Sequence, residues 1–181
     1  MHTVDRQAEQ LEMAGIDFVP PPDVDWLQAP VSAFQLPDDY GLLVPGGSPG
    51  RPEKRWPAPA YADLAQRLTE MGCTPVLVGT EAERGVTRHI AEKCGGAIDL
   101  TGRTSLAEMA SLCRGASVIL GNDTGPMHIA ALTGSRTVVL FSRDSDPALC
   151  APKGPKVVVL RRPRLEDLAV EDVLAELRLP I

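Results

Sequence analysis

The sequence predicts an α/β fold, a doubly wound parallel sheet of six strands, and three observations carry that prediction. From residue 41 onward, short apolar runs of strand length alternate with amphipathic stretches of helix length. This is the pattern of successive βα units. Most of the runs are continuously apolar, as strands covered by helices on both faces must be. Ten of the 17 prolines precede residue 60, which sets an irregular front against a regular remainder. Residues 1–40 therefore read as a helix followed by a proline-rich connector, and residues 41–181 as the folded domain.

In the front, residues 4–14 can form one helix, which Gly15 stops. Pro20, Pro21, Pro22, Pro30 and Pro37 then bar both a helix and an interior strand, so residues 15–40 are predicted to be extended. The strands are expected at Leu42 to Val44, Val76 to Val78, Ala97 to Leu100, Val118 to Leu120, Val138 to Phe141 and Val157 to Leu160. Tyr61, Leu64, Ala65, Leu68 and Met71 share one helical face, with Pro57 and Pro59 in the first turn and Gly72 beyond the end. Ser105 and Glu108 have the spacing of a capping box, and Gly115 is expected to end that helix. Val170, Val173, Leu174 and Leu177 mark a last helix, after which Pro180 closes the chain.

Composition narrows the function. With 181 residues the chain suits one domain, and no apolar run approaches the roughly 18 residues of a membrane span. The 18 Lys and Arg against 24 Asp and Glu give a net charge of -6, so bulk electrostatics attracts neither nucleic acid nor anionic lipid. An anionic ligand needs local positive chemistry. Cys73, Cys94, Cys113 and Cys150 form no CxxC pair and read as reduced thiols, and the first ten residues carry no leader pattern. The expected compartment is the cytoplasm.

In an open parallel sheet, ligands bind outside the carboxyl ends of the strands, which directs attention to four loops. The first runs Pro45-Gly46-Gly47-Ser48-Pro49-Gly50-Arg51-Pro52-Glu53-Lys54-Arg55-Trp56-Pro57. Its free amides and Lys54 can hold a phosphate or diphosphate, and Ser48 is a further candidate contact; the plainer reading is a surface loop with solvated cations. Neither a Walker A loop nor a GxGxxG fingerprint occurs. In the second loop, Glu83 can accept both hydroxyls of a ribose or serve only as a macrodipole partner in the first helical turn. The third, Thr101 to Ser105, holds Thr104 and is explained as well by a turn and an N-cap.

The fourth loop is the most informative, Gly121-Asn122-Asp123-Thr124-Gly125-Pro126-Met127-His128. Gly125 allows close backbone approach, Pro126 suits a first helical position, and the amides there point outward as an anion site. Asp123 can accept sugar hydroxyls and Thr124 can bind a phosphate oxygen. His128 follows one turn later on the same face, where the positive helix end favours the neutral imidazole.

In these loops the sequence resembles the lipopolysaccharide heptosyltransferase family of glycosyltransferases. The resemblance rests on Gly46-Gly47 through Lys54-Arg55-Trp56-Pro57, Leu77-Val78-Gly79 with Glu83, Gly102 to Leu106, and above all Gly121 to His128, in family order over residues 41 to about 152. It implies the Rossmann-like, C-terminal half of a GT-B enzyme. An ADP-heptose donor is implied, with Lys54 at its phosphates, Glu83 at the adenosine ribose, Thr104 lining the nucleotide pocket, Thr124 and Gly125 at the diphosphate, and Asp123 and His128 at the sugar end. The catalytic base and the lipid-linked acceptor site are implied to belong to an N-terminal domain of roughly 150 residues preceding Met1. No metal or other cofactor is implied, and the two Asp-x-Asp pairs, Asp23/Asp25 and Asp144/Asp146, exceed the chance expectation of about one only slightly. Two departures bear on the sugar: Phe141 is followed by Ser142 instead of a glycine, and the loop before Lys54 is slightly long. Peripheral contact with the inner membrane is compatible with this family, although Arg161, Arg162 and Arg164 read more simply as a solvated cluster. Two alternatives stay open: a GT-B enzyme using another nucleotide sugar, and a non-catalytic nucleotide-binding module.

Overall fold

A computed structural model of the chain describes residues 1–48 and 50–179, so Pro49 and Pro180, both named above, lie outside the described residues. All six expected strands form: β1 (Tyr40–Val44), β2 (Thr74–Leu77), β3 (Ile98–Asp99), β4 (Val118–Asn122), β5 (Thr137–Phe141) and β6 (Val157–Arg161). They pair in parallel in the order β3-β2-β1-β4-β5-β6. Among the described residues seven α-helices accompany them: α1 (Thr3–Met13), α2 (Ala58–Glu70), α3 (Arg84–Lys93), α4 (Leu106–Gly115), α5 (Gly125–Leu132), the short α6 (Pro147–Cys150) and α7 (Val170–Leu177).

Side-chain alternation along the strands divides the core in two. Leu43, Leu77, Leu120 and Leu140 face a layer that contains Tyr61, Leu64 and Leu68 of α2, Ile90 of α3, and Val173 and Leu177 of α7. Leu42, Val44, Val76, Ile119, Val139 and Phe141 face the other layer, with Met109 and Leu112 of α4 and Met127 and Ala130 of α5. Each such side chain contributes about 1.5–3 kcal/mol when fully buried, which is why the central strands carry no polar residue until their ends.

The expectation for Met71 in helix α2 is corrected, and the end of helix α4 gains a physical cause. Met71 is the C-cap of α2 and stands 46% exposed, because the chain has already left the buried stripe by that residue. Helix α4 ends at Gly115 as expected, although that residue is the last helical one and has no left-handed conformation. The Tyr40 hydroxyl donates to the Leu112 carbonyl at 2.6 Å, and a Cβ at residue 115 would press on that hydroxyl. Close approach of β1 to α4, not turn geometry, selects the glycine.

The proline-rich connector contains one 3-10 turn, Ser32–Phe34, and lies across α4. Arg114 donates to the carbonyls of Leu27 at 2.9 Å and Val24 at 2.5 Å, and Ser111 Oγ accepts from the Ala29 amide at 3.0 Å. Val31, Phe34 and Leu36 pack on the α4 side of the core. A segment whose prolines prevent regular pairing thus finds its polar partners on a helix. Helix α1 buries no residue and is held by polar contacts, from Thr3 Oγ1 to the Leu149 carbonyl at 2.9 Å and between Lys153 and Asp5.

Gly121, in the middle of the β4 burial, lets α5 approach the sheet. A Cβ there would overlap Met127 Sδ and stand 2.9 Å from Val44 Cβ. Gly121→Ala is expected to cost about 1–3 kcal/mol, the usual scale for overpacking, read as a lower urea midpoint at unchanged slope. The thiols give a second check. Burial pushes the Cys73 and Cys113 thiols up to about 12, Cys94 is buried as well, and Cys150 is partly exposed. One thiol, that of Cys150, should therefore react with a thiol reagent in the native chain, and all four after unfolding.

Candidate functional site

The order of the strands reverses between β1 and β4, and the loops leaving their carboxyl ends diverge there. A crevice at this point is where open α/β sheets bind ligands. Here it is a cavity of about 420 Å³, walled by the loops after β1, β2, β3 and β4. That volume is in the range of small-molecule sites. Val44, Val78, Leu106, Met109 and Pro126 make an apolar side, while Ser48, Thr80, Glu83, Thr104, Ser105 and Thr124 supply the polar groups. Leu106 remains 61% exposed at the start of α4, an uncovered apolar surface beside the opening.

The helix starts around the cavity are not equivalent. Thr80 and Glu83 form a reciprocal capping box on the 3-10 turn Glu81–Glu83 that leads into α3, in which Glu83 Oε2 accepts from the Thr80 amide at 2.8 Å and from its hydroxyl at 2.6 Å. Ser105 and Glu108 do the same at α4. At α5 the N-cap is Thr124, yet its side chain accepts no hydrogen bond from the helix, and Pro126 occupies the first turn. The positive end of α5 is therefore left open beside the cavity, while the other two are closed by carboxylates.

Of the eight residues singled out in the sequence, Ser48, Glu83, Thr104 and Thr124 line the cavity, and Gly125 lies between two lining residues. One carboxylate oxygen of Glu83 completes the capping box, and the side chain rests against Gly46 and Gly79 in the cavity wall. Lys54 and Asp123 are beside the cavity and paired with each other, Nζ to Oδ2 at 2.9 Å, with side chains 14% and 11% exposed. The free cation expected at Lys54 is thus a preformed ion pair. Arg55 is a structural tie, its Nη2 donating to the carbonyls of Gly47 at 2.7 Å and Ser48 at 2.9 Å. His128 is outside the lining, on the same helix as Gly125. Partial burial holds its imidazole below the ordinary histidine range, with Asp123 opposing the shift, so the neutral form expected there arises chiefly from desolvation.

Asn122 was not among the eight. It is fully buried at the end of β4 and satisfies its whole amide: Oδ1 accepts from the Trp56 amide at 3.0 Å and the Tyr61 hydroxyl at 3.2 Å, and Nδ2 donates to the carbonyls of Pro45 at 2.9 Å and Gly46 at 3.0 Å. A polar residue ending an otherwise apolar strand was the sequence signal that could have marked it.

The Asp-x-Asp pairs are turns and caps. Asp23 Oδ1 accepts from the Asp25 amide, Asp144 bonds Ser142, and Asp146 caps α6. Among the described residues no group of three or more His, Cys, Asp or Glu is placed to share a metal ion. Arg161, Arg162 and Arg164 pair with Asp146, Asp172 and Glu166 on the surface. No helix among the described residues is long and apolar enough to cross a membrane.

Comparison with known proteins gives a consistent set of likenesses. Residues 4–175 match the family described as glycosyltransferase family 9 (heptosyltransferase). The chain is 32% identical over 127 residues to lipooligosaccharide heptosyltransferase 2 of Haemophilus influenzae, covering 66% of this chain and 35% of that protein. It is 33% identical over 135 residues to lipopolysaccharide heptosyltransferase 2 of Escherichia coli, covering 71% and 38% respectively. The solved structure of E. coli ADP-heptose LPS heptosyltransferase II superposes with a TM-score of 0.73 at 27% identity, over 88% of this chain and 51% of that one. The chain thus spans about a third of the length of these curated relatives and about half of the solved one.

The opposed causes at His128 give a signed test. Its imidazole should titrate below the ordinary value of about 6.5 in an NMR pH series. Asp123→Asn removes the group that opposes the shift and leaves Lys54 without its counter-charge, so the midpoint should fall further; a rise would contradict the assigned causes.

Proposed function

This chain belongs to glycosyltransferase family 9, the heptosyltransferase family, and from that membership we propose that it forms the nucleotide-sugar-binding part of an enzyme transferring heptose from an ADP-heptose donor to a lipopolysaccharide core. The observation that carries the reading is the open start of α5 beside the cavity, where the other two helix ends are capped. An anion is the group that such an end accepts. In this reading the diphosphate lies by Thr124 and Gly125, with the Lys54 ammonium held nearby by Asp123. The nucleoside occupies the cavity toward Leu106 and Met109, its ribose hydroxyls reaching the Glu83 carboxylate and Thr104 the base end.

Transfer breaks the bond between the anomeric carbon and the diphosphate oxygen and forms one from that carbon to an acceptor hydroxyl oxygen, with inversion. ADP leaves carrying the bonding electrons, and the acceptor proton passes to a base. The charge that grows on the departing diphosphate is what Lys54 and the α5 amides are placed to stabilise. We assign the base and the acceptor site to parts of the whole enzyme beyond the stretch that this chain shares with its relatives. The setting we propose is the cytoplasmic face of the inner membrane, with peripheral contact.

Calorimetry with ADP and UDP tests the donor. ADP should bind more tightly, and a clear preference for UDP would sink the ADP-heptose assignment. Lys54→Ala should weaken ADP by about 1.5–3 kcal/mol, the scale of a charge-assisted hydrogen bond, and an unchanged dissociation constant would remove Lys54 from the phosphate site.

A further inference from the structure

We propose that Asn122 is a positioning residue for the donor site: its buried amide sets the Gly46–Ser48 backbone and the Lys54 segment against the start of α5. The inference rests on the donor reading above and goes beyond it, because Asn122 does not line the cavity and touches no group assigned to the ligand.

The geometry is specific to a carboxamide. Two donors converge on Oδ1 and two carbonyls on Nδ2, so a group of this shape must accept on one side and donate on the other. The carbonyls belong to Pro45 and to Gly46, the first of the lining residues Gly46, Gly47 and Ser48. The amide belongs to Trp56, two residues after Lys54, and Trp56 is anchored in turn by its indole N–H on the Leu168 carbonyl at 3.1 Å and by edge contact with the Tyr61 ring. In sequence, Asn122 directly precedes Asp123, the partner of Lys54, and stands two residues before Thr124. One side chain therefore fixes both ends of the loop after β1 relative to the loop after β4. A general core role would be met by an apolar residue; four satisfied bonds, three to the two ends of the loop after β1 and one to Tyr61 of α2, are not.

Asn122→Asp separates the two halves of the amide. The carboxylate still accepts from Trp56 and Tyr61 but turns an oxygen toward the two carbonyls, which should release residues 46–48. Protonation restores one donor, and a carboxyl this buried takes up its proton at raised pH. The sign follows: the ratio of variant to wild-type ADP dissociation constants should be tenfold or more at pH 8 and shrink as the pH falls toward 5.5.

The test uses the whole chain, at a temperature where wild type and variant are both folded, with ADP and adenosine as probes. ADP should weaken at least tenfold and adenosine by no more than twofold, and the NMR order parameters of residues 46–48 should fall while those along α2 do not. Equal weakening of both ligands, or unchanged ADP affinity, overturns the positioning role. If wild type binds adenosine as tightly as ADP, the diphosphate reading fails on its own account, and the order parameters still decide: unchanged values at residues 46–48 overturn the inference about Asn122. Should Asn122→Asp not fold, the uncharged Asn122→Ser carries the same comparison with the same outcomes.

Discussion

Everything at the site follows from one constraint, the adjacency of β1 and β4 at the middle of the sheet. Each strand is followed by a helix, but α2 packs on one face and α5 on the other. The two connections must therefore part as soon as they leave the sheet, and between them the sheet edge is exposed to whatever fills the gap. Backbone carbonyls at that edge have no strand to bond. Asn122 meets them from below, and the cavity lies above. A polar residue in the most apolar layer of the molecule is tolerable there because every one of its bonding positions is occupied.

The helix starts then divide the labour. At Thr80 and Ser105 the reciprocal boxes place a glutamate on the positive end, which stabilises the local turn and leaves little attraction for an anion. At α5 there is no such carboxylate on the cap, and Asp123, one residue before it, is committed to Lys54. In a chain of net charge -6 this difference matters more than the overall charge. An anion approaching the molecule meets a net-negative chain and, beside the cavity, the open start of α5, so selectivity is local from the outset.

What could be seen in the sequence was what depends on short-range pattern. The six strands were visible because apolar runs between turn signals depend on the local chain, and the boundaries shifted by only a few residues; Val78, for example, lies just past β2. The capping box at Ser105 and Glu108 was visible for the same reason, being set by a three-residue spacing. The Lys54–Asp123 pair was not, since those residues are 69 positions apart and each was read as free for a ligand. Asn122 escaped because its value comes from four partners on three separate segments, none of which shows in its own neighbourhood. Gly115 was legible as the end of α4, but the contact that requires a glycine there, with the Tyr40 hydroxyl, was not. Long-range polar complementarity, in short stretches of loop, is the part that a single sequence hides.

The Lys54–Asp123 pair shows how such a loop can be ready for an anion without presenting a bare cation. Two charges largely removed from water cost desolvation, and the loss is offset only while both are present. Pairing reduces the pull of Lys54 on an incoming phosphate, because Asp123 lies beside it with the opposite sign. It also fixes Nζ in one place, so that the side-chain entropy an exposed lysine would lose on binding has been lost already in folding. An unpaired lysine would give a stronger distant field and a less defined position. On the donor reading proposed above, Lys54 would act together with rigid backbone amides at the end of a helix, and there a fixed position is the more useful property, since charge counts most where it is held at hydrogen-bond distance from the atom that gains it.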